Sequence, residues 1–217
     1  MLIFLDFDDV LFNTKKFKDA YFSLFKKRGV SRDIFDKFYY TPSDSGIDRY
    51  CPVNHVKRIC KELNLNYSDF KDDVLEFVGD TSRYIFGDSV SFLNNFSKNE
   101  LYLVSFSKTD FQKSKIFNSG IANHFCKIKI VNELKGDAIN EIIKNNKIKY
   151  NQKNYFIDDR VEHLTDAKIK NPNLTTIFLL RKEGRYKDRK NKYCDYKVSN
   201  FNEILKIIKQ KNVKKIS

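Results

Sequence analysis

No apolar stretch of this chain is long enough to cross a membrane as a helix, and Met1 to Leu5 carries neither a cationic leader nor a cleavage site. These absences predict a soluble, cytoplasmic protein with no membrane partner. Cysteine is sparse: Cys51, Cys60, Cys126 and Cys194 form no CxxC pair and show no zinc-like spacing with histidine. They read as ordinary thiols in a reducing compartment rather than as a disulfide framework or a zinc site. His55, His124 and His163 also lack metal-ligand spacing and read as incidental. Glycine and proline number only 7 and 3, while Lys, Asn, Ile, Phe and Tyr abound, the pattern that codon bias imposes on a whole proteome. There is no RNP signature, no zinc-finger spacing and no internal repeat, so nothing marks a dedicated nucleic-acid reader.

What is present bounds the fold class. The chain has 217 residues, 41% of them hydrophobic, enough for one sizeable core plus an accessory subdomain. Its net charge is +13, from 41 basic and 28 acidic residues. Such a surplus permits attraction to phosphates or nucleic acid. The lysines are spread along the chain, apart from a group between Lys206 and Lys215, so a solvated basic surface is the preferred reading.

The most informative run is Leu2-Ile-Phe-Leu-Asp-Phe-Asp-Asp-Val-Leu11. A short apolar run reads as a buried parallel strand, and such strands deliver ligand-facing residues at their carboxyl ends. Residues i and i+2 share a side, so Asp6 and Asp8 converge on one point. Two carboxylates that close repel unless a proton or a cation separates them. A hard divalent cation with oxygen ligands, Mg2+ by default, is the natural partner. Asp9 reads as structural or solvent-facing.

Residues 15–95 read as helical, with Phe17, Tyr21, Phe22 and Phe25 recurring at helical spacing, as do Val56, Ile59, Cys60 and Leu63. Tyr40 to Gly46 is turn chemistry. From about residue 100, strands at 101–105, 126–131, 155–157, 175–180 and 196–198 alternate with helices, which implies a parallel sheet covered on both faces. A last helix is expected over 201–210 and a frayed basic tail over 211–217. Polar groups at the ends of these elements suit one site: Asp6 and Asp8 after the first strand, Ser105 after the second, Lys135 ahead of an amphipathic helix, and Asp158-Asp159 after the fourth strand.

In this order and with these flanks, the chain resembles the haloacid dehalogenase-like superfamily of phosphohydrolases. Asp6-Phe7-Asp8-Asp9-Val10-Leu11 is similar to its first motif, DxDx(T/V)(L/V). Ser105 matches the serine or threonine closing the second motif, Lys135 the lysine of the third, and Asp158-Asp159 the paired acidic form of the fourth. The resemblance implies an α/β fold, a Rossmann-like three-layer core over residues 1–14 and 96–217, with an all-helical cap inserted over 15–95. It also implies Mg2+ as cofactor. Dehalogenase members lack the second aspartate of motif one, whereas Asp8 is present, which points to phosphoryl chemistry. The family's common Gly-Asp is Asp-Asp here, so Asp159 is expected to bind the metal and Asp158 to orient neighbours, with Asp158 as the alternative ligand. His163 stands where a further acid often lies, and Phe106 where asparagine often follows the serine.

These residues imply a phosphomonoester hydrolase. Asp6 attacks phosphorus, Asp8 handles the proton, and Ser105 and Lys135 hold the phosphoryl charge, with Asp6, Asp8 and Asp159 at the metal. The expected substrate is a small phosphorylated metabolite under a closing cap, where Arg32, Arg49 and Arg83 are candidate contacts. Two other classes stand behind it. One is a nucleic-acid end-processing phosphatase or metal nuclease using the basic surface. The other is a non-catalytic phosphate- or metal-binding relative.

Overall fold

The computed structural model describes residues 1–40, 50–146 and 153–213, with side chains to Gln210. The expected turn over 41–46, Arg49 and the end of the basic tail lie outside the described residues. No described helix is long and apolar enough to cross a membrane.

The chain divides into two compact units. The first comprises Met1–Lys15, Ile85–Phe106 and Ile121–Ser217. It is built on a six-stranded sheet of β1 (Leu2–Leu5), β2 (Leu101–Phe106), β3 (Lys127–Val131), β4 (Asn154–Asp158), β5 (Thr175–Leu179) and β6 (Tyr196–Val198). All pairings are parallel, in the order β3-β2-β1-β4-β5-β6. Strand succession runs outward in both directions from β1 and β4, so the topological switch lies between those two strands. In open α/β sheets the crevice at the carboxyl ends of that pair is where ligands bind.

Burial on both faces explains why the central strands read as largely apolar runs. Every residue of β1, β4 and β5 is buried. One face, carrying Leu2, Phe4, Tyr102, Val104, Phe156 and Phe178, packs on α7 (Gly136–Asn145) and α8 (Val161–Lys170) through Ala138, Ile139, Ile142, Leu164 and Ala167. The alternate residues Ile3, Leu5, Leu103, Tyr155, Ile157 and Ile177 are fully buried too. The edge strand β3 is only partly covered, as its apolar–basic alternation predicts.

The second unit, Lys16–Tyr84 with Ser107–Gly120, is helical. It contains most of α1 (Thr14–Lys26), with α2 (Arg32–Lys37), α3 (Pro52–Leu63), α4 (Ser68–Gly79) and α6 (Phe111–Asn118). Its core is aromatic: Phe17, Tyr21, Phe25, Phe35, Phe70 and Phe77 are buried against one another. His55 lies fully buried among these rings, its Nε2 2.9 Å from the Phe35 carbonyl oxygen.

The boundaries differ from those expected at two places. Residues 85–95, expected in the cap, join the sheet unit, because α5 (Gly87–Leu93) stacks Phe92 on Phe201 of α9 (Phe201–Val213) at 4.2 Å. Asp88 of the same helix takes the Arg181 guanidinium at 2.8 Å and the Phe201 N–H at 3.0 Å. Residues 107–120, expected in the core domain, join the helical unit, where Thr81 donates to the Lys115 carbonyl and Asn118 to that of Val78.

Candidate active site

Strand register brings the acidic residues together. Leu5 lies opposite Ile157, and the Asp6 N–H continues the ladder to the Ile157 carbonyl at 3.0 Å. Asp6 therefore emerges beside Asp158 at the switch point. Between the two motif aspartates, Phe7 turns inward, fully buried and stacked on Phe12 at 4.9 Å. The chain then folds back tightly, the Leu11 and Phe12 N–H groups both donating to the Phe7 carbonyl. Asp9 occupies the left-handed region (φ 56°), which aspartate tolerates better than most residues.

Lys135 precedes α7 and is 1% exposed. Its ammonium bridges Asp6 Oδ1 at 2.6 Å and Asp158 Oδ2 at 2.7 Å. The approach depends on Gly136. Its N–H donates to Asp166 Oδ2 at 2.7 Å, and a β-carbon there would lie 2.5 Å from that same oxygen. Asp158 spends its other oxygen on the Arg160 N–H at 2.8 Å. Both Asp158 oxygens are thus occupied by the protein, whereas among the described residues nothing donates a hydrogen bond to the Asp159 carboxylate.

The carboxylates of Asp6, Asp158 and Asp159 offer oxygens within 4.8 Å of one another, all buried. Asp8 stands outside this trio; its Oδ1 accepts the Thr14 hydroxyl at 2.7 Å. Burial raises the pKa of Asp6 against the pull of Lys135, with Asp158 and Asp8 adding to the rise. Burial and then the neighbouring Asp158 and Asp6 hold Asp159 well above the usual carboxylate range. Burial alone would lower Lys135, but Asp158 and Asp6 reverse this and keep the ammonium charged. One ammonium among three buried carboxylates leaves an excess of negative charge. Hard oxygen donors in that state suit a divalent cation.

Asp6, Asp8, Lys135 and Asp159 line one pocket of about 70 Å³. Ser105, 1% exposed near the end of β2, does not line it; its neighbour Phe106 does. Four further lining residues carried no expectation of a site role: Arg160, His163, Arg185 and Tyr186. His163 is 5% exposed, its ring 5.7 Å from that of Phe106. Burial, and next the charge of Lys135, lower its pKa to about 4, so it stands neutral in the wall. The Arg160 guanidinium lies 4.1 Å from the Tyr186 ring centre and pairs with Glu162 at 2.7 Å. Asp9 is fully buried, contrary to a solvent-facing reading, and grips Arg185 Nε at 2.5 Å. No local signal singles out Arg185 among 41 basic residues; its partner lies 176 positions away. In the helical unit, Arg32 pairs with Asp36 and Asp19, and Arg83 donates to the Tyr84 hydroxyl.

No protein-family model matches the sequence, and no curated protein matches it. Solved structures do. A haloacid dehalogenase-like hydrolase from Burkholderia xenovorans superposes with a TM-score of 0.66 at 15% identity, covering 94% of each chain. The chain has the fold of the haloacid dehalogenase-like hydrolases. The HAD-hydrolase YfnB from Bacillus subtilis, bound to magnesium, matches this fold at a TM-score of 0.61 and 13% identity, covering 95% of this chain and 97% of its own. The L-2-haloacid dehalogenase from Xanthobacter autotrophicus matches at 0.59 and 14%, covering 96% and 99%. The haloacid dehalogenase-like fold thus accounts for nearly the whole chain, helical unit included. At such identities the likeness concerns the fold alone.

Proposed function

We propose that this protein is a Mg2+-dependent phosphomonoester hydrolase acting through a phospho-aspartate on Asp6, with a small phosphorylated compound as substrate. The observation that carries the reading is the convergence of Asp6, Asp8, Lys135 and Asp159 on one pocket of about 70 Å³. About 10–15 Å³ of such space holds one water, so the pocket has room for a few waters or a phosphoryl group.

Asp6 and Asp159 are the residues that would hold the cation, since Asp158 already spends both oxygens on Lys135 and the Arg160 N–H. Bound there, Mg2+ would neutralise charge on the phosphoryl oxygens and let a carboxylate approach a phosphate. Lys135 holds Asp6 Oδ1, fixing the carboxylate and leaving Oδ2 to attack phosphorus. As the new O–P bond forms, the bond to the ester oxygen breaks, and Asp8 gives its proton to that leaving oxygen. Asp8 then takes a proton from the water that attacks the aspartyl-phosphate, releasing inorganic phosphate and restoring Asp6. Its hydrogen bond from Thr14 steadies the Asp8 carboxylate for both steps. Ser105 is buried and does not line the pocket, so this reading assigns it no direct contact with the phosphoryl group. Phosphoryl transfer needs positioning and compensating charge more than acid strength, and these residues supply both.

Several solved relatives in fold are dehalogenases, and Asp8 is the residue that separates the two chemistries: dehalogenation has no leaving alkoxide to protonate. The test is phosphate release from a panel of phosphomonoesters, including phosphorylated DNA and RNA ends, with Mg2+ and with EDTA. Halide release from 2-chloropropionate is followed in parallel. We expect metal-dependent phosphate release, abolished in a folded Asp6→Asn variant. Halide release without phosphate release, or normal turnover in Asp6→Asn, would overturn the proposal.

A further inference from the structure

The mechanism above leaves two charged side chains in the pocket wall unused, Arg160 and Arg185; the Arg160 guanidinium already pairs with Glu162 and Asp188, which singles out Arg185. Three independent features hold it in place. The root of its loop is anchored by Arg181, 6% exposed, which donates to the Val10 carbonyl at 2.9 Å and pairs with Asp88. The loop then turns through Gly184, whose N–H donates to the Arg181 carbonyl at 3.1 Å. A β-carbon at Gly184 would meet that carbonyl oxygen at 3.2 Å, with the Asp9 side chain 3.9 Å away. Finally, Asp9 holds Nε of Arg185 at 2.5 Å from a fully buried position in the motif-one loop.

This arrangement spends Nε and leaves both terminal nitrogens of Arg185 without a hydrogen-bond partner among the described residues. The side chain is 29% exposed and shares the pocket with Asp6 and Asp8. A guanidinium with its inner nitrogen clamped presents its outer edge as a fixed fork, the geometry that matches two oxygens of a phosphate. Because Arg185 lines the same small pocket as Asp6, an anion beside Asp6 lies within reach of that fork.

We propose that Arg185 is an anion-binding residue of the pocket, contacting the phosphoryl oxygens directly, and that Asp9 is its positioning residue. The assignment rests on the phosphohydrolase reading for its substrate, but its ligand class, a tetrahedral oxyanion, can be tested without turnover. It adds to Lys135 a second cation whose charge faces the transferring group rather than the carboxylates beneath it.

A purely structural role has to be separated from this one, because Arg185 also neutralises a buried aspartate. Removing Arg185 alone would leave Asp9 unpaired and could unfold the loop. The double variant Asp9→Asn/Arg185→Met removes both charges, and asparagine accepts the left-handed backbone. The experiment measures binding of inorganic phosphate by calorimetry in the presence of Mg2+, together with kcat and KM on a small ester and a thermal melt. The full chain is used for wild type, Arg185→Lys, Arg185→Met and the double variant.

We expect phosphate binding to weaken at least about 10-fold in Arg185→Met and in the double variant, with Arg185→Lys between them and wild type. Turnover should fall by about 100-fold, the usual effect of losing one donor to the transition-state charge, and free guanidinium ion should restore part of it in Arg185→Met. A double variant that melts like wild type and binds phosphate and turns over normally would overturn the assignment. So would a wild-type protein that binds no phosphate. Phosphate binding that depends on Arg185 without hydrolysis of any ester would instead sustain the anion site and remove the phosphohydrolase reading.

Discussion

A single ammonium sits between two carboxylates at the base of the pocket, and most of the chemistry depends on where it points. Lys135 is almost fully buried, so its charge acts in a medium that screens weakly. Removing it leaves Asp6 and Asp158 facing each other with no counter-charge. Lys135→Ala should therefore lower kcat by about 100-fold or more. It should also cost about 3 kcal/mol of stability at neutral pH, the scale for breaking one partner out of a buried ion pair. Steady-state kinetics and denaturant titration check the two halves separately. An unchanged rate in a folded variant would move the cationic role elsewhere. Asp159 is the complementary case: a carboxylate raised well above its usual pKa by burial and by Asp158. Among the described residues it has no hydrogen-bond donor, which is how a carboxylate awaiting a cation is expected to look.

At the scale of elements, the position of Lys135 is inherited from the packing of α7 on α8. Gly136 permits that contact: an added methyl would meet Asp166 Oδ2 at 2.5 Å, Lys170 Cδ at 2.8 Å and the Asp166 carbonyl oxygen at 3.0 Å. The last of these is backbone and cannot swing aside. Gly136→Ala is expected to cost about 1–3 kcal/mol through overpacking, despite alanine's better helix propensity. It should lower turnover by displacing the lysine that precedes it. A melt and a rate measurement on the same preparation check this, and a stabilised, fully active variant would contradict it.

The strands and most helices were legible in the chain because burial on both faces keeps β1 wholly apolar and confines the polar residues of β4 and β5 to their ends, Asn154 and Asp158 in one and Thr175 and Thr176 in the other. The carboxylates and Lys135 were legible because strand ends and a helix start deliver them in a recognisable order. The allegiance of α5 was not. Val90, Phe92 and Leu93 look the same whichever core they serve, and only the distant Phe201 and Arg181 decide it. Arg185 was hidden for a similar reason: its importance comes from Asp9 and Gly184 in space, and a lone arginine in a basic loop carries no periodicity. Asp9 read as structural or solvent-facing; the structural alternative holds, because its partner Arg185 lies far along the chain and gives no local signal.

For the molecule as a whole, acid should be the sensitive direction. His55 is fully buried in the helical unit, and its Nδ1 has no hydrogen-bond partner among the described residues. Protonation would place a charge and an unsatisfied N–H among aromatic rings, and burial accordingly lowers its pKa from 6.5 to about 4. The unfolded chain therefore binds this proton more readily than the folded one. The neutral form's stabilising contribution is complete above pH 6.5 and drains away as pH falls toward 4. A shift of this size corresponds to about 3 kcal/mol. Thermal melts between pH 7.5 and 4.5, set by that window, should show a falling midpoint, and a His55→Phe variant should show a shallower fall. Equal slopes in the two proteins would assign acid sensitivity to self-repulsion of a chain already at +13.

The edge strand β3 gives part of that positive charge a second significance. Among the described residues it bonds to β2 on one side only, and along it Lys127 and Lys129 alternate with Ile128 and Ile130. A strand with one open flank is a template on which another chain can extend the sheet. Two copies meeting there would set lysine rows against each other, a contact that like-charge repulsion opposes. At the opposite border, β6 is three residues long with Lys197 at its exposed centre. A sheet with a largely apolar interior thus ends on both sides, among the described residues, in short or cationic borders, the arrangement that opposes edge-to-edge growth.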